Sequence, residues 1–570
     1  SGNQAPIAAA DATPREGNAP LTVQFSSAGS SDPDNVPGPF TYRWEFGDGA
    51  TSTAANPSRT YTVRGPYTAR LDVSDGLVTT QSAPIAITVG ARPVPVITQP
   101  PAGTVYRAGD TINFAGTATD AESGTLGAAA FRWQVILRHL EHGHPFVGPL
   151  TGVTSGSFTI PSTGHGPENT SYEIQLTVTD PDGLTGTAVR SIQPVVAPIA
   201  LDTTPSGIPL FLDGDPLTTP RQYQSLSGFV HTVEAPAAFT LGGSSYVFDR
   251  WGDGAARIRS LIVPESGTSA TALYNSAGPR AATRSVRFYG TGGGTAVDRI
   301  RIQQEPPAPV DVGAGDFTVE FWMRGTRAAN VTPLSGYRPI GQQENATDDW
   351  INGNVVVDRD LFGTTPTWGA SVHRDGTRAV LRFGTADGSN FHTLQGVTEV
   401  LDGVWHHVAL VRERVSGRKR IVVDGALDVE SAAGASTGDL SYPDGRATAL
   451  PQSDPFLVFG AEKHGAPGNS EFPSFAGWLD EIRAWSVARS VAEIAATRDL
   501  AVPPNTSGLV LYLPLEEGVG QALTDTTGGD TATLYVGVMG NGEWSIDTPP
   551  PPPVSSTTTS TTSTSSTSST

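Results

Sequence analysis

Short apolar–polar alternation, interrupted every few residues by Gly, Pro or Asp, constrains this chain more than any other feature. Leu21-Thr-Val-Gln-Phe25, Tyr67-Thr-Ala-Arg-Leu-Asp-Val73 and Tyr172-Glu-Ile-Gln-Leu-Thr-Val178 put apolar side chains at every second position. That is the period of a strand with one face on a core and the other in water. The 65 glycines and 46 prolines supply turns between such runs, and charged residues are only 16%. An all-β fold follows. At 570 residues the chain exceeds one hydrophobic core severalfold, so several domains are expected.

There is no cysteine, so sheet cores, with or without bound Ca²⁺, must supply the stability. The formal charge of −20, with Lys419 and Lys463 the only lysines, argues against nucleic acid or an anionic membrane as partner. No apolar run reaches the roughly 18 residues that span a bilayer, so no membrane insertion is expected. The start, Ser1-Gly2-Asn3-Gln4-Ala5-Pro6, lacks Met; a leader removed before Ser1 is the expectation. Scarce Lys beside abundant Arg and Ala suggests a GC-rich bacterial genome. Together these features point to a secreted protein, extracellular or at the cell surface.

Residues 547–570 form a tail of the disordered type: Pro549 to Pro553, Val554, then sixteen residues that are only Ser or Thr. Such a segment has too little apolar surface to offset the entropy of ordering it. It is a spacer, a partner-binding strand or a glycan carrier. The last reading would put O-linked sugar on Ser555, Ser556, Thr557, Thr558, Thr559, Thr561, Thr562 and Thr564.

Residues 1–90 read as a small β-sandwich. The run Trp44-Glu45-Phe46-Gly47-Asp48-Gly49, preceded by Ser31-Asp32-Pro33-Asp34 and followed by Asn56-Pro57 and Tyr61, resembles a PKD domain. The resemblance implies that the Gly-Asp-Gly turn caps a hairpin and that Trp44 fills the core, structural roles rather than chemical ones.

Residues 91–195 repeat the plan as a second Ig- or cadherin-like sandwich, the pair forming tandem Ig-like units. A histidine-rich insertion, His139-Leu-Glu141-His142-Gly-His144, interrupts it, and His165 follows. On an extended strand His142 and His144 face the same side, and His139 or His165 can complete three imidazoles suited to Zn²⁺ or Cu²⁺. The plain alternative is a solvated loop. Residues 196–276 read as a small β-module with Phe248 and Trp251 in its core. Together with the insertion it resembles the accessory region of secreted bacterial sugar dehydrogenases that use pyrroloquinoline quinone, which implies a sugar-rich, secretory setting.

Residues 283–546 carry Phe317-Thr-Val-Glu-Phe-Trp322, Trp405-His406-His407-Val-Ala, Asp424-Gly425 and Asp480-Glu481-Ile482-Arg483-Ala-Trp485 in that order. They resemble the hallmark strands of LamG-like, concanavalin A-like jelly rolls. The strand Leu509–Leu515, which many relatives carry at the start of the domain, stands here near its end and suggests a permuted order.

The LamG resemblance implies a rim that binds Ca²⁺ and glycans. Related pentraxins hold calcium with a Gly-x-Glu-Gln-Asp run, where this chain has Gly460-Ala461-Glu462-Lys463-His464; Lys and His in place of oxygen ligands imply that this double site is lost. Asp525 or Asp348-Asp349 can still hold a single Ca²⁺. Trp350, Trp368 and Trp478 are candidates to stack on sugar rings, against the plain alternative of core packing.

Catalysis has no positive support: Ser155-Gly156 and Ser206-Gly207 fall in β-loops and give no credible triad, and no His-Glu-x-x-His, P-loop or Rossmann fingerprint occurs. Asp480 and Glu481 are adjacent on a strand and should face opposite ways, so they cannot flank one glycosidic bond. No catalytic residue and no required cofactor are expected. The first functional reading is a structural or adhesive surface protein, a glycosylated fibre subunit that associates head-to-tail with copies of itself and binds surface glycans. The alternative is a carbohydrate-binding accessory region of a larger secreted enzyme.

Overall fold

The computed structural model describes residues 2–34, 39–139, 142–164, 170–281, 283–290, 298–331, 344–346, 349–361, 364–374, 377–388, 390–448, 450–451, 454–464, 473–535 and 544–551. His165, Asp348 and residues 552–570 of the tail, with all the O-glycosylation candidates, lie outside them. The chain is all-β, with one α-helix, Val491–Thr497, among the described residues. It divides into two compact units. One comprises residues 1–201, 221–232 and 260–269; the other comprises 202–220, 233–259 and 270–570. The segment 196–276, expected as one module, is therefore shared between them.

In the first unit, the strand Leu21–Ser26 pairs with Asp11–Thr13 and Ser58–Tyr61, and Gly65–Ser74 pairs with Thr41–Glu45 and Ile85–Val89. Their inward positions enclose Trp44, Phe25, Phe46 and Leu71, and Trp44 is wholly buried. The Gly-Asp-Gly turn works through its backbone. Gly47 has φ +81°, and a Cβ there would meet the Thr68 backbone at 2.6 Å, so only glycine fits. Asp48 accepts the Ala50 N–H at 3.0 Å and pairs with Arg59 at 2.7 Å.

A second sandwich follows. Phe131–His139 lies between His142–Thr151 and Thr170–Thr179, which continues to Thr185–Pro194. Thr111–Asp120 pairs with Val94–Gln99 and Ser155–Thr159. Trp133 and Phe114 meet at 4.8 Å in the core, and Leu226 and Phe229 from the 221–232 segment join it.

The second unit holds the jelly roll. One sheet carries Phe317–Thr326 between Asp402–Arg412 and Ala476–Trp485, with Ser285–Tyr289 beside the latter. The strand Leu509–Leu513 also pairs with Ala476–Trp485. The opposing sheet includes Arg299–Gln303, Phe456–Phe459, Asn354–Leu361, Thr364–Arg374 and Ala379–Ala386. Phe321, Phe459, Leu410, Leu457 and Trp368 fill the space between. Ala409, Val411 and Val422 on the outer face of the first sheet pack with Ile494 of the helix. A reciprocal cap starts that helix: Ser490 Oγ accepts the Glu493 N–H, and the Glu493 side chain accepts the Ser490 N–H, satisfying two otherwise unpaired donors. Several strands are thus buried on both faces, and their sequences lose strict alternation.

Candidate functional site

Two of the three candidate sugar-stacking tryptophans belong to the core. Trp350 and Trp368 are each 0% exposed. Trp350 lies against Thr364–Arg374 and Ala379–Ala386, where Gly369 and Gly384 leave room: a Cβ on Gly384 would sit 1.8 Å from Trp350 Cδ1. Trp368 packs on Phe317 with ring centroids 4.9 Å apart. With no indole face open to solvent, neither can stack on a sugar, which corrects the sequence-based expectation for both.

Trp478 stands differently. It is partly exposed on the outer face of the first sheet, with Arg287 and Arg324 directly opposite on the two neighbouring strands. Their guanidinium carbons lie 4.8 and 5.3 Å from the indole centroid. Arg287 also lies 4.7 Å over the Tyr289 ring. The border is tied down: Trp478 Nε1 donates to Ser545 Oγ at 3.1 Å, Arg324 pairs with Asp547, and Trp405 Nε1 donates to Asp547 Oδ1 at 3.2 Å. Arg287 is exposed and has no carboxylate partner among the described residues. The result is an aromatic surface edged by N–H donors, the complement of a ring with an apolar face and an equatorial fringe of hydroxyls. Arg287 and Arg324 were not legible beside Trp478 in the sequence, because only strand register brings them there.

At the segment Gly460–His464 protein cations face the carboxylates. Lys463 Nζ is buried and donates to the Asp454 and Phe456 carbonyls at 2.9 and 3.1 Å. His464 lies 3.1 Å from Asp454, 3.6 Å from Asp360 and 3.4 Å from Glu462. Burial opposes charge on this imidazole, but Asp360, Asp454 and Glu462 outweigh it and raise its pKa to about 10. A raised folded-state pKa contributes stability that is full below the unfolded value near 6.5 and disappears as pH rises through about 10. His464→Gln should therefore be less stable than the parent by about 2–4 kcal/mol at pH 6. In chemical denaturation at pH 6 and pH 10.5 the gap should shrink at the higher pH; an equal gap would contradict the ion-pair account.

Asp480 and Glu481 correct a second expectation. Between Asp480 and Arg483 the register slips against Phe317–Thr326, and Glu481 has φ +52°, the mark of a β-bulge. Alternation is broken, so the two carboxyls do not diverge. Burial and then the charge of Glu481 push the Asp480 carboxyl well above the usual range. Glu481 accepts from Arg483 at 2.6 Å and from the Tyr512 hydroxyl at 2.7 Å. Both acids are buried and serve an internal ionic network.

The two described calcium candidates, Asp525 and Asp349, are committed to protein partners. Asp525 Oδ1 accepts the N–H groups of Tyr512 and Thr527, and Oδ2 accepts those of Gly529 and Asp530, each at 3.0 Å. It is the knot of its loop, and a cation there would have to displace these donors. Asp349 accepts from Asn345 at 2.7 Å and faces Arg382 at 3.6 Å. Of the histidines, His139 is directly opposite His142 in the hairpin and Leu137 opposite His144. The ring centroids of His139 and His142 are 5.7 Å apart, and those of His142 and His144 are 4.8 Å apart. Among the described residues no three His, Asp or Glu side chains are placed to hold one metal ion.

Comparison with known proteins gives two family matches: the PKD domain over residues 3–89, and the concanavalin A-like lectin/glucanases superfamily over residues 294–495. Neither reaches residues 91–276, so the resemblance to sugar dehydrogenase accessory regions is not confirmed. No curated protein matches. Among solved structures, a putative carbohydrate binding protein from Bacteroides ovatus ATCC 8483 is 16% identical over 78% of this chain and 95% of its own, with TM-score 0.30. A heptameric SAP-like pentraxin from Limulus polyphemus is 14% identical over 46% and 98%, with TM-score 0.27. A CBM40 of the Ruminococcus gnavus IT-sialidase is 12% identical over 38% and 98%, with TM-score 0.24. Residues 3–89 of this chain are thus a PKD domain, and residues 294–495 are a domain of the concanavalin A-like lectin/glucanases superfamily.

Proposed function

We propose that this chain is a non-catalytic glycan-binding protein of the cell exterior, and that its jelly roll presents Tyr289, Arg287, Trp478 and Arg324 to saccharides. The observation that carries the proposal is the partly exposed Trp478 indole between two guanidinium groups on neighbouring strands. A sugar ring stacking there exchanges one guanidinium–indole contact for CH–indole contact, and the displaced arginine donates to ring hydroxyls. Membership of a superfamily that includes lectins supports this reading. Burial of Asp480 and Glu481 supports binding over turnover at that pair. The exterior location rests on the two module types and the Ser/Thr tail.

Trp478→Ala in the full chain is expected to weaken the affinity for a bound oligosaccharide at least tenfold, a loss of about 1.4 kcal/mol or more, while the protein still folds and unfolds cooperatively. Isothermal titration reads it directly. Undiminished affinity in the variant would remove Trp478 from the site.

A further inference from the structure

The histidine insertion does more than decorate a hairpin: it forms one end of a cavity of about 340 Å³ in the second sandwich, a volume within the usual range for small-molecule sites. The cavity lies wholly within the first unit. Tyr106, Phe146, Tyr172 and Phe229 form its aromatic walls. These walls are set firmly: Tyr172 lies 4.8 Å from Phe146 and 5.1 Å from Tyr106, both edge-on. Tyr106, Tyr172 and Phe229 are nearly fully buried, and the Tyr106 hydroxyl is already engaged with Thr170 at 3.3 Å. At the other end, His142 and His144 are exposed and His139 half-buried. The ring contacts among them are known, but their nitrogens bond to no described residue.

The charge pattern separates this cavity from the rest of the protein. The chain carries a net charge of −20, yet no carboxylate is among the described residues that line the pocket; apart from tyrosine, histidine is the one ionisable type there. Aromatic walls favour a flat apolar body packed edge-on or offset against them. Ring N–H donors with no acidic neighbour among the described lining residues favour an anionic end, since an acidic lining would repel it and an apolar one would leave it unpaired. We infer that this pocket binds a small aromatic carboxylate, its ring among Phe146, Tyr172 and Phe229 and its carboxylate at His142 and His144. This site is separate from the saccharide face on the jelly roll and does not depend on it.

The test uses the full chain with 2-naphthoate and its uncharged counterpart 2-naphthalenemethanol, their affinities measured by isothermal titration. The expected result is at least tenfold tighter binding of the carboxylate. The double variant His142→Ala, His144→Ala, at exposed positions that should leave folding intact, should lose that preference and keep its affinity for the alcohol. Phe146→Ala should weaken both probes together. Failure of both probes to bind the parent chain, or equal affinity for the two, would overturn the inference. So would stoichiometric Zn²⁺ uptake that the double variant abolishes, with no naphthoate binding, which would make the cluster a metal centre instead.

Discussion

Glu320→Ala should destabilise the jelly-roll unit by about 3–5 kcal/mol, the scale for breaking a buried ion pair from one side. Glu320 is 0% exposed. Its Oε1 accepts from Trp485 Nε1 at 2.9 Å and from Arg489 at 3.0 Å, and Arg483 and His407 lie 3.8 and 3.7 Å away. Burial disfavours the carboxylate, but Arg489, His407 and Arg483 outweigh it, and its pKa is lowered. Burial lowers the His407 pKa to about 4, so near neutral pH the arginines carry the positive charge that Glu320 balances. Without Glu320, the Arg489 charge stays buried without its counter-ion. Glu320→Gln keeps the shape and an acceptor and should cost less. Because the folded pKa is depressed, the Glu320 contribution is present above the unfolded value near 4.3 and is lost as pH falls below it. Guanidinium unfolding at pH 7 and pH 3 reads both effects. A parent–variant gap that stays constant across that interval would contradict the electrostatic assignment.

Gly384→Ala should cost about 3 kcal/mol or prevent folding of the unit, at or beyond the upper end of ordinary overpacking. The new Cβ would lie 1.8 Å from Trp350 Cδ1 and 2.3 Å from Cγ. Trp350 cannot swing clear, because its ring is also pressed on Gly369, where a Cβ would come within 2.2 Å. Gly315→Ala is the control, since nothing lies within 4 Å of its Cβ position; it should shift stability by less than about 0.5 kcal/mol. Trp350→Leu should rescue part of the loss in the Gly384→Ala background, because the two positions share one space. Equal stability of the Gly384→Ala and Gly315→Ala proteins would show that Trp350 does not occupy this slot.

Legibility in the sequence followed burial pattern. Trp44 and Trp251, expected in their cores, are both 0% exposed; the strand of Trp44 is half-buried and alternates, whereas a register slip beside Phe248 interrupts that of Trp251. In the jelly roll, Phe317–Gly325 is buried at every position except Arg324. With both faces covered, an aromatic residue has no polar neighbour to mark which way it points, and Trp350 and Trp368 could not be told from Trp478. The bulge at Asp480-Glu481 was hidden for another reason. A left-handed glutamate is imposed by the surrounding sheet and leaves no local signature. The pairing of Glu320 with Arg489, 169 residues apart, is likewise a product of topology. Two-residue spacing did place His142 beside His144. The cavity they close needed Tyr106 and Phe229, which only the folded chain brings there.

The most direct test of a glycan-binding, non-catalytic protein is an oligosaccharide array probed with the full chain and with Trp478→Ala, each hit then incubated with the parent and its products separated by chromatography. The account predicts hits that the variant loses and saccharides recovered uncleaved. Hits that persist in the variant, or cleavage products from any bound saccharide, would contradict it.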